Sequence, residues 1–134
     1  MSKKIFVSDF DMKRFKWLID NSGRFNTIDT SCVPELAGEL SNAVIMPPPD
    51  VPNDIITMST RFEIEYCDNG EKEEFMLVFP FDADAAEKKL SVLSPVGIAA
   101  LGCRKGEVVT LDNGRSFRIS DIIYQPEAQG QYYL

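Results

Sequence analysis

The sequence predicts an α+β protein: a small antiparallel sheet with one short helix, preceded by a short antiparallel helical hairpin. Three observations predict it. Residues 47–52 hold four prolines, an extended, semi-rigid stretch that ends any helix before it. Ahead of that stretch, apolar residues recur every three or four positions, the period of a helix with one buried face. Beyond it they alternate with charged residues, the period of a half-buried strand. The chain therefore divides into an N-terminal part, residues 1–49, comprising the hairpin and its proline linker, and a C-terminal part, residues 50–134.

Each element has its own signal. Ser8 stands before Asp9, Phe10 and Asp11, an N-cap with an acidic first turn that suits the helix dipole. Met12, Phe15, Leu18 and Ile19 supply the apolar face, and Asn21-Ser22-Gly23 ends it. A second helix starts between Ser31 and Pro34, where proline is tolerated in the first turn. Leu36, Leu40, Ala43 and Val44 form its stripe, and Pro47 terminates it.

In the second part, Arg61-Phe62-Glu63-Ile64-Glu65-Tyr66 alternates as a strand and Asp68-Asn69-Gly70 turns it. Glu74 to Phe79 answers as its hairpin partner, closed by Pro80. Pro95 to Leu101 reads as a short apolar helix with Gly102 after it. Val108 to Leu111 and Ser116 to Tyr124 are two further strands. The Asn113-Gly114 pair between them suits the positive φ angles of a type I′ turn.

Composition narrows the function. At 134 residues and 44% hydrophobic, the chain is one ordinary domain, or a small domain with an appendage, and can bury a core. Fourteen Lys and Arg against 21 Asp and Glu leave a net charge of −7. That charge is repelled by phosphate backbones and anionic lipid, so sequence-specific nucleic-acid binding and membrane docking are not expected. There is no histidine, which excludes Ser-His-Asp and Cys-His catalysis, phosphohistidine chemistry and His-ligated zinc. Cys32, Cys67 and Cys103 match no metal or redox spacing and read as free thiols. The apolar run at the N-terminus stops at Ser8, too early for a signal peptide, and no stretch is long enough to span a membrane. A soluble, cytoplasmic protein without a cofactor is expected.

Several clusters invite chemistry. Asp82, Asp84 and Glu87 bring three carboxylates together between strand and helix. They match no full calcium loop, so a solvated acidic loop that meets basic groups of a partner is the better reading. The scattered glycines form no phosphate-binding motif. Asp20, Arg24 and Asp29 stand at the hairpin tip, an obvious contact point if the hairpin protrudes. Trp17, Phe15 and Phe10 read as packing residues. Phe62, Tyr66, Phe75, Phe79, Phe81 and Tyr124 read as core rather than as the lining of an open pocket.

Leu90-Ser91-Val92-Leu93-Ser94-Pro95-Val96-Gly97-Ile98-Ala99-Ala100-Leu101-Gly102, followed by Lys105-Gly106-Glu107-Val108-Val109, resembles the C-terminal domain of the bacterial Gre transcript-cleavage factors. There a Ser-Pro step starts a short helix and a Gly-acid-Val-Val turn leads into a strand. Asp54-Ile55-Ile56-Thr57-Met58-Ser59 and the ending from Tyr124 to Leu134 are similar to the Rnk family, the regulators of nucleoside diphosphate kinase. The likeness covers the second part throughout. The first part matches in layout and in Glu39-Leu40.

The resemblance implies an FKBP-like C-terminal domain carrying a short antiparallel coiled coil. It implies bacterial RNA polymerase as the partner, engaged at the rim of its secondary channel, and a regulatory rather than enzymatic role. By position, the docking step falls on Leu93, Ser94 and Pro95. Gre factors use acidic residues at the tip of a long coiled coil to help hold the polymerase's catalytic Mg²⁺. A helix of about 12 residues spans only on the order of 18 Å, so Asp20 and Asp29 are not expected to reach that centre. The protein should compete with Gre-type factors without stimulating transcript cleavage. Two alternatives stay open: a direct modulator of nucleoside diphosphate kinase, and a peptidyl-prolyl isomerase, which would need an open aromatic pocket. The oligomeric state is also open.

Overall fold

The computed structural model describes residues 5–24 and 30–131. Strand β1 (Phe6–Ser8) runs straight into α1 (Asp9–Asp20), and α2 (Val33–Ser41) leads into β2 (Val44–Met46). Ser8 caps α1 as expected: its Oγ accepts from the Asp11 N–H at 3.0 Å. The second helix stops at Ser41, short of Pro47. The β-branched pair Val44-Ile45 and the disfavour of helical geometry before proline turn residues 44–46 into a strand instead. β1 and β2 pair in parallel, so the two helices form the crossover between two adjacent strands.

The second part is a five-stranded sheet in the order β5-β4-β3-β7-β6. Its strands are β3 (Arg61–Tyr66), β4 (Lys72–Val78), β5 (Lys89–Ser91), β6 (Val108–Thr110) and β7 (Ser116–Tyr124), with the helix α3 (Pro95–Ala100) between β5 and β6. The sheet is mixed rather than antiparallel throughout, because β5 lies parallel to β4 at one edge. β3 and β7 pair with two register shifts, beside Phe62 and Ile64. Such irregularities bend a strand and curl the sheet.

The turn between β6 and β7 also differs from expectation. Gly114 alone takes a positive φ, +87°, and its N–H donates to the Leu111 carbonyl at 2.8 Å. A three-residue loop with glycine in the left-handed position replaces the type I′ turn.

One core runs through both parts. Ile5, Val7, Phe15, Leu18 and Leu36 pack in the same cluster as Ile56, Phe62, Ile64, Leu77, Ile98, Phe117 and Ile119. Phe15 meets Phe79 with ring centroids 5.4 Å apart. Gly102 fits this junction for two reasons. Its φ is +81°, and a Cβ there would lie 2.3 Å from Cγ2 of Ile5. The segment that follows β7 is tied in as well. Gln125 Nε2 donates to the carbonyls of Pro52 at 2.7 Å and Ile55 at 2.9 Å. Thr57 Oγ1 donates to Glu127 Oε1 at 2.7 Å. The helices therefore lie against the sheet domain and do not stand away from it.

Candidate protein-binding surface

The Ser94-Pro95 step is built by a compact set of hydrogen bonds. Ser94 is the N-cap of α3, and its Oγ accepts from the Gly97 N–H at 3.0 Å. The same hydroxyl donates to the Ser91 carbonyl at 2.7 Å. Ser91 Oγ in turn accepts from the Leu93 N–H at 3.0 Å. A Cβ on Gly97 would stand 2.1 Å from the Ser91 carbonyl oxygen, so only glycine lets the helix start this close to the preceding turn. Pro95 occupies the first helical position and is exposed. Leu93, expected beside it at the surface, is 5% exposed and belongs to the core. Its side chain is not available to a partner. It anchors the segment from below, and Ser94 aims it.

Asp82, Asp84 and Glu87 are all exposed, but they do not converge. Asp84 Oδ1 accepts from the Ala86 N–H at 3.0 Å, while Asp84 and Lys89 exchange backbone hydrogen bonds that close the loop. Lys88, at φ +58°, and Lys89 are part of the same loop. The surface here is mixed in charge. Among the described residues, no group of three or more carboxylates or thiols could hold a metal ion.

At the end of α1 and in the turn that follows it, Asp20 and Arg24 are exposed. Asp29 lies outside the described residues. Trp17, expected to pack, is 54% exposed and sits against Phe81, itself 51% exposed, with centroids 6.0 Å apart. They border a shallow groove with Leu18, Phe79 and Asp82. Arg14 covers this region, its guanidinium 4.5 Å from the Phe10 ring centre and 4.7 Å from that of Phe79. It also pairs with Asp11. Burial pushes the Asp11 carboxyl up to about 6. Arg14 and Ser8 oppose that shift, and Glu127 adds to it.

The remaining aromatic residues do not gather around one opening. Phe62 and Tyr66 are buried, Phe75 packs on Phe62 at 6.2 Å, and Arg115 covers the Tyr66 ring at 3.7 Å. Sequence reasoning missed a different feature. Glu35 and Glu39 of α2 face Pro95 and Ile98 of α3 and the Leu111-Asp112 turn across an open groove of about 350 Å³. One signal was present: two glutamates four apart on a helix with no basic residue between them.

With this geometry in place, the likeness to known proteins is specific. The family model for the C-terminal domain of the transcription elongation factors GreA/GreB matches residues 51–124, which hold the sheet and α3. The regulator of nucleoside diphosphate kinase of Escherichia coli is 31% identical over 97% of this chain and 96% of its own length. A GreA elongation factor of Clostridium botulinum is 33% identical over 66% of this chain, but only 57% of that protein is covered. Among solved structures, a GreA/GreB elongation factor from Nitrosomonas europaea superimposes with a TM-score of 0.73 at 28% identity, over 92% of this chain and all of that one. The chain thus belongs to the GreA/GreB-type family and, along almost its whole length, to the regulators of nucleoside diphosphate kinase within it.

Proposed function

We propose that this protein is a non-enzymatic regulator. It binds bacterial RNA polymerase at the rim of the secondary channel and competes there with Gre-type factors. The observation that carries the reading is the Ser94-Pro95 step. Within the segment shared with the GreA/GreB C-terminal domain, an exposed proline is held at a helix start by a fully hydrogen-bonded cap. In this reading the sheet is the FKBP-like platform and α1 with α2 is a shortened counterpart of the coiled coil. The Asp82–Glu87 loop and the end of α1 with Asp20 and Arg24 flank the contact. A cytoplasmic location goes with it.

The protein does not stimulate transcript cleavage. α1 has 12 residues, about 18 Å at about 1.5 Å per residue, and its apolar face is held against the sheet domain. Asp20 is not carried toward the polymerase active centre. In a cleavage assay on backtracked complexes, the protein adds no cleavage of its own and reduces that caused by a Gre factor. Cleavage that disappears in Asp20→Asn would contradict this.

The similarity over 97% of the chain to a protein named for nucleoside diphosphate kinase favours a second reading, direct modulation of that kinase. A change in purified kinase activity on adding this protein alone, with no polymerase present, would support it. An isomerase reading has less support, since the aromatic residues lie largely in the core.

A further inference from the structure

The solvent face of α1 carries an ordered set of charges. Asp9, Lys13, Lys16, Trp17 and Asp20 are all exposed. At about 3.6 residues per turn they fall within an arc of about 100°, opposite the face that buries Asp11, Phe15 and Leu18. Two aspartates and two lysines balance here, whereas the whole chain carries −7. A neutral face lets two copies of an acidic chain approach with less repulsion. None of these four charges is in an ion pair among the described residues. At the margin of the face Trp17 leans on Phe81, both rings exposed, and Asp82 lines the groove beside them. Exposed large aromatic rings next to unpaired charges are the make-up of a small protein-binding surface.

We propose that this face binds the same face of a second copy of this chain, the two α1 helices antiparallel about a two-fold axis that passes between Lys16 and Trp17. The order of the charges fits that occupant. The axis sets Lys13 opposite the second copy's Asp20, and Asp20 opposite its Lys13, so two ion pairs form. It also sets each Lys16 opposite the second copy's Trp17, with the ammonium over the indole ring and toward Asp82. Antiparallel helices align their dipoles favourably. A partner of uniform charge would meet two like charges for every two opposite ones, so the pattern favours this chain itself. One short helix and its aromatic neighbour make a small interface, and the dimer is expected to be weak, with Kd in the micromolar range. The proposal does not depend on the polymerase reading.

Lys13 and Asp20 are seven positions apart on α1, about 10.5 Å along the axis, too far to pair within one copy. Charge reversal therefore isolates a contact between copies. The test is sedimentation equilibrium of the chain from about 5 to about 500 μM, a range that brackets a micromolar Kd. For the wild type the weight-average mass is expected to rise from 15.1 kDa toward twice that. Emission from Trp17, the single tryptophan, should move to shorter wavelength over the same range. Lys13→Glu and Asp20→Lys each create two like-charge contacts and should raise Kd at least about tenfold. The double variant restores both pairs with their signs exchanged and should return Kd to within about threefold of wild type. Trp17→Ala should leave the chain monomeric and still folded by circular dichroism, because the ring lies outside the core. A wild type that stays monomeric throughout would overturn the proposal and leave the face to a different protein. So would a dimer indifferent to Trp17→Ala or to the single reversals, or single reversals that the double variant does not rescue.

Discussion

Single residues at the junction of the two parts carry most of the specific chemistry. Asp11 is the most unusual. Its carboxyl is 5% exposed and titrates near pH 6 rather than near 4, because burial disfavours its charge more than Arg14 supports it. The native state therefore holds a proton that the unfolded chain releases between those values. The stability this proton confers is fully present below the ordinary carboxyl value and is lost as the pH rises through about 6. About two pKa units correspond to about 3 kcal/mol. Denaturant unfolding from pH 4 to pH 7 should show stability falling across that window, and Asp11→Asn should flatten the fall. An identical slope in the variant would show that Asp11 is not the group responsible. Ser94 is a second such residue. Ser94→Ala removes the α3 cap and should cost about 1 kcal/mol. Gly97→Ala forces a Cβ against the Ser91 carbonyl and should cost about 1–3 kcal/mol. Both are checked by chemical denaturation.

At the scale of elements, legibility followed length and periodicity. β3 and β7 were readable because six and nine residues give alternation room to repeat. α1 was readable because Ser8, two early aspartates and four spaced apolar residues agree. β1, β2 and β5 are three residues each, too short for any period, and they exist through pairing with neighbours far along the chain. The parallel edge strand β5 and the crossover of the first part were for that reason invisible. The build of the Ser94-Pro95 step was only partly legible: its residues can be read as a helix start, but only the structure shows that Leu93 is buried and that Ser94 is occupied in capping. Trp17 reads as a packing residue by its aromatic character, yet it is exposed and sits against Phe81. The groove could not be seen, since Glu35, Glu39, Pro95 and Asp112 come from three separate elements. Pro95→Glu is the appropriate probe of α3. Glutamate is tolerated in a first helical turn, so the fold survives while the exposed contact changes chemistry.

For the whole molecule, the continuous core implies one cooperative unit. Phe15 and Leu18 of α1 and Leu36 of α2 share a cluster with the sheet's Phe62, Leu77 and Ile119. Trp17, the single tryptophan of the chain, reports on the first part, and far-ultraviolet circular dichroism weighs the sheet. Thermal unfolding followed by the two signals should give coincident transitions. Separate midpoints would mean that the first part detaches on its own. A rigid union of the two parts also fits a protein that covers a surface better than one that reaches into it. The most direct test of that account is equilibrium competition for core RNA polymerase between this protein and a Gre factor, with Pro95→Glu alongside. Binding that the Gre factor displaces and the variant loses is the predicted result. Failure of the wild-type protein to bind polymerase, or binding indifferent to both the Gre factor and Pro95, would contradict it.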